Sequence, residues 1–243
     1  MTLRARRRPK FFRFSELTRE NVNRDFQVHT SWTDGANTTF EVLEQARQVG
    51  LTEIAFTEHA RARSDYYVGF FQEVEAHADR FPEITVYRGF EVKVLDESGT
   101  LDMSPAMKKT ADLILGSVHS FPDRDGKPAP PAMKLGEEKA SDIEFGLARG
   151  IIEGGFADVL SHAGGMCLRA FGRFPEARLD KLVSLAAEHG VAFEINISYH
   201  AAILDQLIQL LARHDPLVSI GSDAHRLEDI GACRNAVHGA LAL

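Results

Sequence analysis

Only two cysteines, Cys167 and Cys233, occur in the 243 residues, and neither belongs to a CxxC pair. That excludes a disulfide framework and a thiolate zinc site, and it suits a reducing compartment. Long apolar runs are missing too: no stretch of about 18 apolar residues is present, so no membrane-spanning helix is expected. The N-terminal "MTLRARRRPKFFRF" is basic but lacks the apolar core of about 7 to 15 residues that a secretory signal carries. Together these absences predict a cytoplasmic protein that engages no membrane. Positive charge is also in deficit, with 28 Lys and Arg against 35 Asp and Glu, a formal net charge of −7 and a pI near 5.8. This argues against a general nucleic-acid binder, while a locally positive pocket for a small anion stays open.

What is present reads as one globular domain, residues 21–243, behind a basic extension over residues 1–20 that is expected to be a frayed, solvated tail. With 44% hydrophobic and 26% charged residues, the chain has material for a sizeable core. Seven short, β-branched runs alternate with helical stretches: "DFQVH", "EIAFTEH", "TVYRGFEV", "DLILGSVH", "DVLSH", "VAFEINIS" and "LVSIGSD". That alternation is the mark of repeated βα units around a parallel sheet, an α/β fold. The helices show their ends. In "NTTFEVLEQARQVG", Thr38 and Glu41 have capping-box spacing, Val42, Leu43, Ala46 and Val49 share a face, and Gly50 suits the left-handed position beyond the end. "LDKLVSLAAEHG" repeats the pattern up to Gly190, and "AILDQLIQLLARHDP" stops at Pro216. Residues 120–142, polar and proline-rich, are too long for an ordinary βα loop and read as a lid or substrate loop.

Ligand-type side chains gather at the strand ends. In a parallel α/β barrel those ends converge on one face. His29, His59, Glu91, His119 and His162 stand at the ends of the first five runs, and Asp223 and His225 at the end of the last, so five of the ten histidines occupy strand ends. His77, His189, His200, His214 and His238 fall in helices or loops, four of them expected at the surface. Burying so many ionisable groups together is costly unless cations compensate, so a metal cluster that also includes Asp34 is expected. Imidazole and carboxylate without thiolate suit two or three divalent ions such as Zn²⁺, Mn²⁺ or Fe²⁺. Ions so paired point to metal-assisted hydrolysis, most naturally of a phosphoester.

The motifs "DFQVHTSWTDG", "FTEHA", "RGFEV", "GSVHS", "LSHAGG", "FEINIS" and "GSDAH", in this order, resemble those of the polymerase and histidinol phosphatase (PHP) family, over about residues 23–235. The resemblance implies a distorted seven-stranded TIM-like barrel with its metal site at the C-terminal strand ends. It also implies a trinuclear site: His29, Glu91 and Asp223 for one ion, with Gln27 where the family has a second histidine; Glu91, His119 and His162 for another; Asp34, His59 and His225 for a third. A metal-bridged hydroxide would attack phosphorus, Glu91 would bridge, and Asp223 or His225 would handle the proton. Glu58 replaces an aspartate in TDH and lies outside this ligand set. A glutamine amide offers only a weak carbonyl donor, so the first ion should be held less tightly, exchanged or absent.

Phosphate needs further cations, and Arg61, Arg63, Lys93, Arg169, Arg173 and Arg226 follow the strand ends, with Arg61 and Arg169 the preferred contacts. Asn196 is a candidate for a phosphate oxygen or for holding a loop. The expected activity is hydrolysis of a small phosphate monoester of the histidinol-phosphate kind. The alternatives are a nuclease acting on nucleic-acid ends and a metal-binding module without turnover, the latter supported by Gln27.

Overall fold

The computed structural model describes residues 3–122 and 130–241. Its eight strands are β1 (Phe12–Arg13), β2 (Arg24–Val28), β3 (Glu53–Ala60), β4 (Thr85–Lys93), β5 (Leu113–Ser117), β6 (Val159–Leu160), β7 (Ala192–Asn196) and β8 (Leu217–Gly221). Ten helices accompany them: α1 (Thr39–Gln48), α2 (Tyr67–Ala78), α3 (Pro105–Thr110), α4 (Ala132–Leu135), α5 (Glu137–Gly154), α6 (Gly165–Phe171), α7 (Glu176–His189), α8 (Ile197–His200), α9 (Leu204–His214) and α10 (Ala232–Leu241). The seven apolar runs all fall on strands, β2 to β8. These pair in parallel in chain order, and β1 adds an antiparallel edge on β8.

Two expectations are corrected here. The sheet has eight strands, because the N-terminal segment contributes one, and its ladder does not close: β2 and the end of β8 meet through a single bridge, Val28 with Ala224. That bridge still brings the first and last strand ends together, with His29 N–H donating to the Ala224 carbonyl at 2.9 Å. The segment 120–142 is not a loop throughout, since α4 and the start of α5 occupy residues 132–142; residues 123–129 lie outside the described residues.

The helix signals act as their chemistry predicts. Thr38 caps α1 by accepting from Glu41 N–H while Glu41 accepts from Thr38 N–H, and Val42, Leu43 and Ala46 are buried. The main core lies between helices and sheet. A smaller apolar cluster, Phe26, Ala55, Tyr87, Leu113, Leu115, Val159 and Ala192, fills the sheet's inner face. Phe11 covers it, edge-on to Phe26 at 6.0 Å.

The N-terminal extension is docked rather than frayed. Asp112, fully buried, accepts from Arg4 (2.6 and 3.2 Å), from the Arg7 N–H (2.7 Å) and from the buried Arg88 guanidinium. Arg88 in turn pairs with Glu75. Arg8 pairs with Asp158 at 3.0 Å, and Phe14 N–H donates to the Pro216 carbonyl. A buried carboxylate holding cations from two segments ties them together because neither charge is tolerable there alone. Among the described residues no helix is long and apolar enough to cross a membrane.

Candidate metal centre

Strands place the ligand-type residues where the sequence expects them, at the C-terminal edge of the parallel sheet. His59 on β3 stands in register with Glu91 on β4, so neighbouring strands present them side by side. On β2 the register shifts between Asp25 and Val28. Such a bulge re-aims the strand end, and here Gln27 meets the inward Asn196. Two non-glycine residues of the cluster, His162 (φ 27°) and Asp223 (φ 53°), adopt left-handed backbone conformations. Strain of this kind persists where surrounding structure imposes it, and it gathers at functional sites.

Glu91 is the hub. One carboxylate oxygen lies 2.7 Å from both His119 Nε2 and His162 Nε2, and the other lies 3.1 Å from His59 Nδ1 and 3.5 Å from His29 Nε2. His29 Nε2 is also 3.2 Å from Asp223. Asp34 lies 3.2 Å from His59 Nε2 and 3.3 Å from His225 Nε2. The potential ligand atoms thus form overlapping groups within 4.8 Å: His29, Asp34, His59 and His225; His59, Glu91 and His119; His29, Glu91 and Asp223. Depth is graded. His29, Glu91 and His162 are buried, whereas His59, His119 and His225 are half-buried and Asp34 is exposed.

The donor set fits divalent ions on its own chemistry. Both nitrogens of buried His29 and one oxygen of buried Glu91 have no aligned hydrogen-bond partner, although carboxylates lie nearby. Such atoms are costly unless something else satisfies them. Charge tells the same story. Burial alone would push His29 down, but the adjacent Asp223 and Glu91 carboxylates raise it to about 9. His162 is raised to about 9 against the same burial by Glu91. Burial would raise Glu91, yet His119, His162 and His59 hold it well below the ordinary carboxylate range. Protons on imidazoles here occupy the electrostatic place of metal cations.

Further carboxylates, not singled out as site residues in the sequence, brace this constellation. Buried Asp25 accepts from the Ser222 and Gly231 N–H groups at 2.9 Å each and so fixes the turn bearing Asp223 and His225; burial raises it to about 6. Glu58 accepts from Thr30 N–H and Oγ and from Thr33 Oγ, holding the loop of Asp34. Glu144 of α5 accepts from the Met166 and Cys167 N–H groups beyond His162. Glu194 accepts from His162 N–H at 2.8 Å. The inward alternation of Glu194 and Asn196 in "FEINIS" was a signal for Glu194; Glu144 had none in the sequence.

Over the cluster lies a cavity of about 220 Å³, lined by Asp34, Glu91, His119, Arg169, Tyr199 and Asp223 among others. A hollow of about 490 Å³ adjoins it through His59, Glu91 and His119 and carries Arg61, Lys93 and Asp102. Tyr199, which sequence reasoning missed, stacks on His162 at 4.5 Å and carries the Arg169 guanidinium on its ring at 4.6 Å. Gly165 makes that stack possible, because a Cβ there would meet the Tyr199 ring at 2.8 Å.

The remaining candidates go elsewhere. Arg173 pairs with Glu137 at 2.5 Å, Arg226 faces Glu228 at 3.9 Å, and both are exposed; neither they nor Arg63 line either cavity. Asn196 is fully buried and donates to Gln27 and Glu194, so it meets its neighbours rather than a cavity wall. His200 is buried too: its Nδ1 accepts from Asn196 N–H and its Nε2 donates to the Ala163 carbonyl, and burial pushes it down to about 4. The other four non-cluster histidines are half-buried or exposed, as expected.

The PHP domain profile matches residues 25–198. The chain belongs to the PHP domain family. It is a hydrolase of the metal-dependent phosphoesterase class. A probable phosphatase of Vibrio parahaemolyticus is 26% identical over 218 residues, covering 85% of this chain and 79% of that protein. The DNA polymerase/3'-5' exonuclease PolX of Bacillus subtilis is 24% identical over 231 residues, covering 90% of this chain but 37% of that protein. Among solved structures, histidinol phosphate phosphatase from Lactococcus lactis, complexed with zinc, L-histidinol and phosphate, superposes with a TM-score of 0.71 at 18% identity, covering 89% of this chain and 93% of that one. At that identity the likeness shows the fold.

Proposed function

We propose that this PHP protein hydrolyses a small phosphate monoester, with His29, Asp34, His59, Glu91, His119, His162, Asp223 and His225 holding two or three Zn²⁺, Mn²⁺ or Fe²⁺ ions. The observation that carries this reading is Glu91, a buried carboxylate ringed by four imidazoles at the floor of a cavity that also carries an arginine. What divalent ions supply when bound is Lewis acidity toward phosphate oxygens and a more acidic water.

The chain's own residues supply the rest. Arg169, steadied on Tyr199, faces the cavity as a charge-assisted donor to a phosphate oxygen. Arg61 and Lys93 line the adjoining hollow, where the remainder of the substrate would lie, and Asp102 there suits a substrate with an amino group. His225 is half-buried at the rim, and its Nδ1 lies 2.9 Å from the Asp223 carbonyl. We assign the proton at the leaving oxygen to Asp223 or His225, whichever keeps an atom free of the ions. An amino-alcohol phosphate such as L-histidinol phosphate fits this inventory, and the Lactococcus lactis enzyme is complexed with its two parts, L-histidinol and phosphate.

The similarity to PolX favours a second reading, hydrolysis at nucleic-acid ends. The small cavity and the net charge of −7 weigh against it. The deciding experiment measures metal equivalents per purified chain and, on the same sample, phosphate release from a panel of phosphomonoesters and from oligonucleotides. Bound metal with release from monoesters alone supports the proposal. Cleaved oligonucleotides would favour the second reading, and metal without any turnover would favour the non-catalytic module.

A further inference from the structure

Gln27 stands where the family's motif has a histidine, and the hydrogen bonds around it assign its orientation. The His162 backbone N–H can only donate, so Glu194 Oε2, 2.8 Å away, accepts. The Asn196 atom 3.1 Å from that same oxygen must then be the amide nitrogen. That nitrogen also lies 2.9 Å from Gln27, so the Gln27 atom facing it is the carbonyl oxygen. In this arrangement Asn196 donates to both neighbours, and the Gln27 carbonyl oxygen turns to Asn196. The Gln27 nitrogen, which has no lone pair to offer a metal, is left buried without a partner.

The same side chain is walled in by β8. A Cβ on Gly221 would meet Gln27 Cβ at 3.0 Å and Glu194 Oε1 at 2.1 Å, so glycine at that position gives the Gln27 and Glu194 side chains the space they share. Gln27, Asn196 and Glu194 thus form one buried layer beneath the cluster, all fully buried. His29, two residues along the same strand, is different: both its nitrogens are free of aligned hydrogen bonds and lie near Asp223 and Glu91.

We propose that Gln27 is not a metal ligand but a positioning residue in this layer, and that the inner corner formed by His29, Glu91 and Asp223 holds its ion with these three side chains alone. The inference rests on the metal-dependent reading above and deepens it. Three protein donors are the number that catalytic zinc sites carry, leaving a coordination position open, whereas closed structural sites use four. A fourth donor at position 27 would close that corner, so a histidine there is expected to hold the inner ion more tightly than glutamine does.

The test counts metal by elemental analysis after dialysis of the reconstituted full-length protein against a mild chelator. Gln27→His is expected to retain about one equivalent more than the native protein, and Gln27→Leu the same number as native. Circular dichroism checks the fold, and the near-isosteric Gln27→Met replaces Gln27→Leu if that variant fails to fold. No gain in Gln27→His, or a loss in Gln27→Leu, would each overturn the proposal, the latter by showing that the amide does donate. Absence of metal from every variant would instead overturn the metal-dependent reading itself, and this inference with it.

Discussion

Stripped of metal, the protein should lose stability as pH rises, and the structure sets the window. Against burial, His29 is raised to about 9 from an ordinary 6.5 by Asp223 and then Glu91, and His162 to about 9 by Glu91. A group whose folded pKa lies above its unfolded one contributes its full stability below the unfolded value and loses it as pH climbs through the folded value. The loss therefore falls between pH 6.5 and about 9. The interval from 6.5 to about 9 is worth about 3 kcal/mol for one such group. Because both imidazoles depend on the same carboxylate, their contributions overlap, and a combined loss of about 3–5 kcal/mol is expected. Glu194, raised to about 8 by burial, acts in the same direction at lower pH, since its buried charge is unfavourable once it ionises. For a chain of this size that loss lowers the melting temperature by about 6–20 °C. Urea and thermal unfolding of chelator-treated protein at a series of pH values from 6.5 to 9.5 would measure it. The loaded protein should behave oppositely, because ions displace these protons and bind more tightly as pH rises. A metal-free stability that is flat or rising across this window would refute the idea that the histidines are gathered, protonated, around Glu91.

Glu91→Gln removes the charge that four imidazoles share; phosphate release should fall by more than the factor of about 100 that outer-shell losses reach, with metal equivalents falling in parallel. Arg169→Met keeps the apolar stem over Tyr199 but deletes a charge-assisted contact of about 1.5–3 kcal/mol, so kcat/KM for a monoester should drop about 10- to 100-fold while bound metal stays constant. Asp112→Ala removes one of the two carboxylates facing the buried Arg88 guanidinium, leaving Glu75, and should cost about 1.5–3 kcal/mol in denaturant unfolding. Arg8→Ala, which breaks the pair between Asp158 and an Arg8 side chain that is 66% exposed, should cost less than about 1 kcal/mol in the same assay.

Much of the site was legible before any coordinates because its signals are local. A β-branched run ending in histidine or a carboxylate carries both the strand and the ligand within a few residues; all seven runs became strands, and six of them bring such a residue to the cluster. The helix boundaries at Thr38 and Gly50 were legible for the same reason, as caps act within one turn. Charge pairing was not. Arg169 and Arg173 are four residues apart, yet one sits on Tyr199 over the cavity and the other on Glu137 at the surface. Nothing within a few residues of either distinguishes them.

The sequence by itself determined the parallel α/β plan, the identity of the ligand-type residues and the chemistry their nitrogen and oxygen donors favour, since periodicity and residue type are properties of neighbours along the chain. Tertiary structure alone decided what depends on distant partners. It docked the arginine-rich N-terminus on Asp112 and Asp158 and added β1 to the sheet. It also turned the Gln27 oxygen toward Asn196, 169 residues away along the chain, and chose which cations face the cavity, because a buried charge or amide takes whatever partner the fold brings within about 3 Å.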